Sequence, residues 1–159
     1  MTDRTALIDA KVELRRRMRT LRRELAGRAA RSVSLWEHVQ ELSEVAAARR
    51  ILSYSTIVGE PEVASFHAWC LEQGIAVAVP EDEVPANWPD VVVVPGLAFT
   101  AGGQRLGQGG GWYDRYLTGT RHDCLTVGVC FREQLLAEVP TETHDVILDV
   151  VVTDEGRCV

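Results

Sequence analysis

The alternation of apolar and polar positions along the chain predicts a succession of helices and short strands. In the first predicted helix, Thr5–Leu25, the apolar residues recur three, four or seven positions apart as one stripe, formed by Leu7, Leu14, Met18, Leu21 and Leu25. Further helices are predicted at Ser34–Ala47, Trp112–Leu117 and Arg132–Glu138. Another predicted helix is opened by Pro61 and ended by Gly74, and its buried side carries Val63, Phe66, Cys70 and Leu71. Short apolar runs predict strands at Ile51–Ser55, Ile75–Val79, Asp90–Val94, Leu125–Cys130 and Ile147–Val152.

Because strands and helices alternate, the order of elements favours an α/β fold with a mostly parallel sheet and helices on both faces. The β-branched run Val91–Val94 is typical of a strand that is covered on both sides. In such a sheet the loops that follow the strands meet at one edge, so we expect Ser55–Glu60, Pro95–Gly111 and Phe131 to lie there. No repeat or linker divides the 159 residues, which predicts a single domain over 1–159.

Charge is unevenly distributed along this predicted domain, whose formal net charge is -6. Residues 1–50 hold 12 of the 17 basic side chains and 7 of the 23 acidic ones, and form a basic helical N-terminal part. Its basic row consists of Lys11, Arg15, Arg19 and Arg22. A basic face on an acidic body suits nucleic acid, a smaller anion such as a nucleotide, or simply a solvated helix surface. Nucleic acid is disfavoured because no aromatic residues interleave with the basic row.

The remaining composition argues against a membrane protein and against a cysteine-based site. No apolar run approaches the roughly 20 residues that span a bilayer, and the first residues lack the apolar core of a secretion signal, so we expect a cytoplasmic protein without a membrane partner. Its oligomeric state, monomer or homo-oligomer, stays open. The four cysteines, Cys70, Cys124, Cys130 and Cys158, are not spaced as the ligands of a zinc site are. We expect them to be small buried residues. We expect Trp36, Trp69 and Trp88 to serve packing.

The most informative segment is the glycine-rich stretch Gly102–Gly111, which follows the Val91–Val94 strand and precedes a helix. Glycines allow positive φ and a close approach of the backbone to a ligand. Successive N–H groups and the N-terminus of a helix form an anion site, to which Arg105 adds a forked donor. Neither a P-loop nor a dinucleotide-binding motif is present. The segment therefore predicts a phosphate cradle, and a flexible glycine hairpin is the structural alternative.

Several stretches together resemble the 5-formyltetrahydrofolate cyclo-ligase family. The central signature is Val94–Phe99, followed by Arg105-Leu106-Gly107, by spaced glycines and by Trp112–Leu117. Four further stretches are also similar to the family: Lys11 with Arg15, Glu60–Glu62, Gly128–Gln134 and Pro140–Thr153. The resemblance implies an ATP- and Mg²⁺-dependent conversion of 5-formyltetrahydrofolate to 5,10-methenyltetrahydrofolate. In that reaction the formyl oxygen attacks the γ-phosphate of ATP and ADP is released. N10 then attacks the iminium phosphate, and phosphate leaves.

The resemblance also implies roles for individual residues. Lys11 and Arg105 would be the catalytic cations, and Asp114 and Asp145 the Mg²⁺ carboxylates. The implied ATP contacts are Lys11, Arg15, Arg105, Leu106, Gly107, Gln108, Gly109, Gly110, Gly111, Trp112 and Tyr113, and the implied substrate contacts are Tyr54, Ser55, Glu60 and Trp112. Structural alternatives stay open: a surface cation for Arg15, a helix cap for Glu60, a turn residue for Asp145 and a core residue for Trp112. We expect His144 to be structural.

The chain departs from the family in the polar connector Glu81–Pro89, where the resemblance implies a longer stretch that walls the folate. Because pocket walls supply most of a ligand's buried surface, the shortening predicts a weaker or different substrate choice. Two alternatives therefore stand beside the cyclo-ligase. One is a related ATP-dependent enzyme that phosphorylates another amide or formamide, and the other is a non-catalytic nucleotide- or folate-binding homologue.

Overall fold

The computed structural model describes residues 3–158, which form a mixed α/β fold. The helices are α1 Arg4–Glu24, α2 Arg28–Gln40, α3 Ser43–Ala46, α4 Ala64–Glu72 and α5 Trp112–Leu117. The strands are β1 Arg50–Leu52, β2 Ala76–Ala78, β3 Val91–Val94, β4 Ala98–Phe99, β5 Arg105–Leu106, β6 Leu125–Val129, β7 Val150–Thr153 and β8 Gly156–Arg157. Short 3₁₀ turns lie at Pro80–Asp82 and Arg132–Gln134. Among these residues no helix is both long enough and apolar enough to cross a membrane.

The main sheet has the strand order β2-β1-β3-β6-β7-β8. Neighbouring strands from β2 to β7 pair in parallel, and β8 turns back antiparallel to β7. β4 and β5 form a separate antiparallel hairpin that follows β3 and leads into the glycine-rich loop Gly107–Gly111. The prediction of a mostly parallel sheet is confirmed.

Helices cover the sheet on both faces. One face carries Val91 and Val93 of β3, which belong to an apolar cluster with Trp36 of α2 and Phe66 of α4. The opposite face carries Val92 and Val94 of the same strand, in a cluster with Phe99 and with Leu117 of α5. Since side chains alternate along a strand, the run of valines supplies both clusters and is fully buried. The prediction that the strand Val91–Val94 is covered on both sides is therefore confirmed.

The long basic helix α1 lies against the β4–β5 hairpin. Met18, from the predicted apolar stripe, is fully buried with Leu97, Ala98, Leu106 and Val139. The basic row lies next to the apolar stripe on the same helix, and through Arg15 and Arg19 it faces the glycine-rich loop. This packing brings a cationic helix face to the end of the central strand β3.

Two predicted helix starts and one predicted helix are wrong, and for α4 a tertiary hydrogen bond gives the reason. The second helix starts at Arg28, after Gly27 at φ +70°, rather than at Ser34, and it breaks at Gln40 before the short α3. Pro61 does not open α4, which starts at Ala64, because the Tyr54 hydroxyl donates to the Pro61 carbonyl at 2.7 Å. The predicted helix Arg132–Glu138 is only a 3₁₀ turn to Gln134. Leu71, predicted to be buried, is 81% exposed.

The predicted strands are present but shorter, and two pairings were missed. β1 ends at Leu52 rather than Ser55, and β7 begins at Val150 rather than Ile147. The β4–β5 hairpin and β8 were not predicted because two-residue strands leave no periodic pattern. Trp112–Leu117 is confirmed as α5, and Gly74, at φ +72°, does follow the end of α4.

The expected packing roles of cysteine and tryptophan are confirmed except at Cys158. Cys70, Cys124 and Cys130 are buried free thiols, whereas Cys158, also expected to be buried, is only half-buried. Burial raises the pKa of Cys70 to about 12. Trp36 stacks on Phe66 with ring centroids 4.5 Å apart, and its indole N–H donates to the Glu62 carbonyl at 2.6 Å. Further members of the apolar clusters are Trp69 and Trp88.

Candidate nucleotide and substrate pocket

A cavity of about 470 Å³ lies where the parallel strands end. Its walls come from α1, from the segments that follow β1, β2 and β3, from the glycine-rich loop with the start of α5, and from 142–145. The expectation that Ser55–Glu60 and Pro95–Gly111 meet at one edge is confirmed, because both contribute to this cavity. Phe131 is buried behind it, next to Gln134, whose amide donates to the carbonyl oxygens of Gly96 and Leu97.

Arg105 is held rigidly in the cavity wall. Its Nε donates to the Pro95 carbonyl at 2.7 Å, and its guanidinium lies 5.0 Å from the centre of the Tyr113 ring. A Cβ on Gly107 would lie 2.7 Å from Arg105 Nη2, so glycine at that position leaves room for the guanidinium. Burial lowers the pKa of Arg105, and Asp114 is the first of the neighbours that counteract the effect. The remaining guanidinium N–H groups are therefore pre-oriented donors for an anion in the cavity.

The glycine-rich loop itself resembles an anion cradle. Gly109 and Gly111 have φ values of +113° and +70°, which other residue types rarely adopt. Within the described part of the chain, the backbone N–H groups of Gly109, Gly110 and Gly111 donate no hydrogen bond to protein. Unpaired N–H groups at the start of α5 are suited to phosphate oxygens.

Arginines hold the carbonyl side of the same loop. Arg15 Nε donates to the Gly107 carbonyl at 2.9 Å, and Arg115 donates to the Gly110 carbonyl at 2.7 Å. Arg19, which sequence reasoning did not assign to the site, contacts the Gln108 side chain at 3.1 Å. Arg15 is thus more than a solvated surface cation, because it joins α1 to the loop, and burial lowers its pKa.

Acidic side chains surround Lys11 at the mouth of the cavity. Lys11 Nζ lies 3.2 Å from Asp145 Oδ2 and 3.8 Å from Glu142 Oε1. Asp145 also accepts a hydrogen bond from the Glu142 backbone at 2.7 Å, and Asp114 accepts one from the Val146 backbone at 3.0 Å. Asp114 and Asp145 therefore line the same cavity, each with one oxygen anchored to the 142–146 turn.

Glu142 and His144 are cavity residues that sequence reasoning did not assign to the site. Their side chains and Asp145 offer ligand atoms that all lie within 4.8 Å of one another, and His144 Nε2 is 3.0 Å from Glu142 Oε2. The only sequence signal was the position of Glu142, three residues before Asp145 in the same motif. The expectation that His144 is structural stays a prediction.

Glu60 is a buried carboxyl group that faces the cavity. It is 6% exposed, and its Oε1 accepts a hydrogen bond from the Ile57 backbone at 3.0 Å. Because this bond points back into its own turn and α4 begins only at Ala64, Glu60 does not cap that helix. Burial raises the pKa of Glu60, and the Ile57 hydrogen bond opposes that shift. Next to it, Tyr54 is buried with its hydroxyl engaged, whereas Ser55 is exposed.

Trp112 is not a core residue. It is 37% exposed at the cavity, packs edge-to-face on Tyr113 and stacks on Tyr116, with ring centroids 4.8 Å apart in both pairs. Tyr113 lies deeper, and burial raises the pKa of its hydroxyl. Together these rings form an apolar wall beside the glycine-rich loop. Such a wall suits the flat face of an aromatic ligand.

Comparisons with known proteins show what the chain is similar to. The family model described as "5-formyltetrahydrofolate cyclo-ligase family" matches residues 77–154. The chain is related to this family. The mouse 5-formyltetrahydrofolate cyclo-ligase is 32% identical over 93 residues, which are 56% of this chain and 46% of the mouse protein. The aligned part of the chain therefore spans less than half the length of this curated cyclo-ligase.

Two further relatives extend over nearly the whole chain. A probable 5-formyltetrahydrofolate cyclo-ligase of Caenorhabditis elegans is 25% identical over 195 positions, with 93% of this chain and 94% of that protein covered. Since the alignment of 195 positions is longer than the 159 residues of this chain, the Caenorhabditis elegans protein has insertions relative to it. A solved 5,10-methenyltetrahydrofolate synthetase from Mycoplasma pneumoniae has a TM-score of 0.80 at 22% identity. The superposition covers 91% of this chain and 98% of that structure's chain. That structure shares the fold, and almost all of it has a counterpart in this chain.

Proposed function

We propose that this protein is an ATP- and Mg²⁺-dependent cyclo-ligase that converts 5-formyltetrahydrofolate to 5,10-methenyltetrahydrofolate. The observation that carries the proposal is the convergence on one cavity of the cations Lys11 and Arg105, the unpaired glycine N–H groups and the carboxylate of Glu60. A phosphate site and a site for a donor-bearing substrate thus lie side by side. The relationship to the cyclo-ligase family names the reaction that uses both.

The triphosphate of ATP fits the loop side of the cavity. The N–H groups of Gly109–Gly111 and the free N–H groups of Arg105 supply donors, and Lys11 supplies a further positive charge. Arg15, in this proposal, approaches the phosphates from α1 and also holds the Gly107 carbonyl. Such pre-oriented donors stabilise charge that develops on a transferring phosphoryl group.

The residues of the 142–145 turn fit a magnesium ion. Carboxylate oxygens are the ligands that Mg²⁺ prefers, and Asp114 and Asp145 each keep one oxygen free of the hydrogen bonds that anchor them. Glu142 offers a third carboxylate at the same place. When bound there with ATP, magnesium would neutralise phosphate charge. Lys11, now paired with Asp145, would then be free to turn toward the phosphates.

The chain's own task in this reaction is positioning. Glu60 would hold the folate through its N–H donors, and Trp112 would cover a flat face of a bound ring. With the folate so placed, the formyl oxygen attacks the γ-phosphate and ADP leaves, while Arg105 and Lys11 stabilise the charge that builds up there. N10 then closes the ring and phosphate leaves. Alignment of two reactants can supply a large part of such a rate enhancement without a protein nucleophile.

The deciding experiment is turnover of 5-formyltetrahydrofolate with Mg²⁺-ATP, followed as the absorbance of the methenyl product. We expect product formation and stoichiometric release of ADP and phosphate. ATP binding without any folate turnover would instead favour the related ATP-dependent enzyme, as expected from the short Glu81–Pro89 connector. Binding of nucleotide or folate without hydrolysis of ATP on any amide tested would favour the non-catalytic homologue.

The carboxylates proposed for magnesium give a second expected result. Asp114→Asn and Asp145→Asn should each raise the Mg²⁺ concentration that gives half-maximal activity, because each removes one negative charge from a hard-cation site. The measurement is a Mg²⁺ titration at saturating ATP, and Asp123→Asn, an exposed carboxylate outside the cavity, is the control. Titration curves of the two variants that superimpose on the wild-type curve would contradict the proposed metal site.

A further inference from the structure

The buried guanidinium of Arg22 is an unusual feature that the proposed mechanism does not use. Arg22 belongs to the basic row of α1, yet its residue is only 4% exposed. Its Nε and Nη1 atoms are buried and have no hydrogen-bond partner in the described part of the chain. An unpaired buried charge is costly, so such a residue needs a compensating charge nearby.

The turn Ile57–Glu60 lies directly against this guanidinium. A Cβ on Gly59 would lie 3.0 Å from Arg22 Nε and 3.1 Å from Arg22 Cβ, so the backbone of Gly59 approaches closely, at φ +90°. The next residue, Glu60, is 6% exposed and is anchored by one oxygen to the Ile57 backbone. Arg22 thus supports from behind the turn that carries Glu60 into the cavity.

The charges near Glu60 are arranged so that Arg22 and Arg105 oppose the effect of burial. Burial raises the pKa of Glu60, and the Ile57 N–H, Arg22 and Arg105 lower it, in that order. The other titratable neighbours are the hydroxyls of Tyr54 and Tyr113, both of which have pKa values raised by burial. Of the two cations, Arg105 is assigned to phosphate, which leaves Arg22 as the partner dedicated to the turn.

We propose that Arg22 is a positioning residue whose buried guanidinium places a positive charge behind the Ile57–Glu60 turn and holds that turn in place, so that the cavity grips the N–H donors of its substrate. An opposite charge nearby favours the ionised form of a carboxyl group, and an ionised carboxylate accepts stronger hydrogen bonds. Arg22 itself does not touch the substrate. The role of Glu60 in substrate binding rests on the proposed function, whereas its ionisation by Arg22 does not.

The experiment compares Arg22→Met with Arg22→Lys. Methionine keeps an apolar stem in a buried position without charge, and lysine keeps the charge without the fork. Arg23→Met, which removes an exposed cation one residue further along α1, is the matched control. Thermal unfolding of each variant first shows that it folds.

The first readout is the titration of the Glu60 carboxyl group by ¹³C NMR, in which its signal is identified by its absence in Glu60→Gln. We expect Glu60 to titrate at higher pH in Arg22→Met than in wild type, and close to the wild-type pH in Arg22→Lys and Arg23→Met. An unchanged titration in folded Arg22→Met would overturn the proposal. This readout needs no turnover, so inactivity of the wild-type protein toward folate would defeat the proposed function alone.

The second readout is the pH profile of kcat/KM for 5-formyltetrahydrofolate. In Arg22→Met the acidic limb should move to higher pH, and KM at pH 7 should rise about tenfold, the size expected for one weakened charge-assisted contact. Arg22→Lys should restore most of both quantities, and Arg22→Met should add little in the Glu60→Gln background. If KM rises equally in Arg22→Lys and Arg22→Met and the pH profile of kcat/KM does not shift, the charge of Arg22 plays no part and the proposal is wrong.

Discussion

Replacement of Arg105 by alanine should lower kcat/KM for the cyclo-ligase reaction by roughly 10²–10³-fold, the loss typical of one pre-oriented charge donor. Arg105 is fixed by its bond to the Pro95 carbonyl and by the Tyr113 ring, so its free N–H groups are already aimed into the cavity. ATP binding, measured by calorimetry, should weaken by about 1.5–3 kcal/mol.

Arg105→Lys separates charge from geometry in this prediction. Lysine keeps one positive charge but cannot both donate to Pro95 and present a fork to phosphate, so we expect intermediate ATP affinity with turnover still strongly reduced. Unchanged ATP affinity in folded Arg105→Ala would remove this residue from the phosphate site. Far-UV circular dichroism of both variants would show that the fold is intact.

Gly103→Ala should destabilise the protein by roughly 3 kcal/mol or more, among the largest effects that a single methyl group can have. A Cβ on Gly103 would lie 2.1 Å from the Leu148 carbonyl oxygen, which is backbone and cannot rotate away. The residue also has a φ of +96°, which is unfavourable for alanine. The Gly103 carbonyl accepts from the Leu148 backbone at 2.9 Å, so the hairpin and the segment before β7 would both shift.

Gly102→Ala is the matched control for this substitution. A Cβ on Gly102 meets only Thr100 Oγ1, at 3.8 Å, and its φ lies outside the left-handed range. We expect its free energy of unfolding to stay within about 1 kcal/mol of wild type. Urea denaturation of the two variants measures the difference. Equal stability of the two alanine variants would show that the hairpin adapts without cost.

Local sequence signals were sufficient for the elements that carry the phosphate cradle. The helix Trp112–Leu117 and the strand after Asp90 were predicted closely, because a glycine run and a valine run mark their ends in the sequence itself. The family resemblance then named site residues, and all of those named line the cavity. The start of α4 was missed, since a hydrogen bond between Tyr54 and Pro61 keeps the proline out of the helix.

The partners of the cationic side chains were decided only by the tertiary structure. Lys11, Arg15 and Arg22 follow one another at helical spacing and look alike in the sequence. The fold pairs Lys11 with Asp145, 134 residues away, directs Arg15 to the Gly107 carbonyl and buries Arg22 behind the Glu60 turn. Spacing determines which face of a helix a residue occupies, whereas burial, hydrogen bonding and ionisation depend on the distant segments that pack against that face.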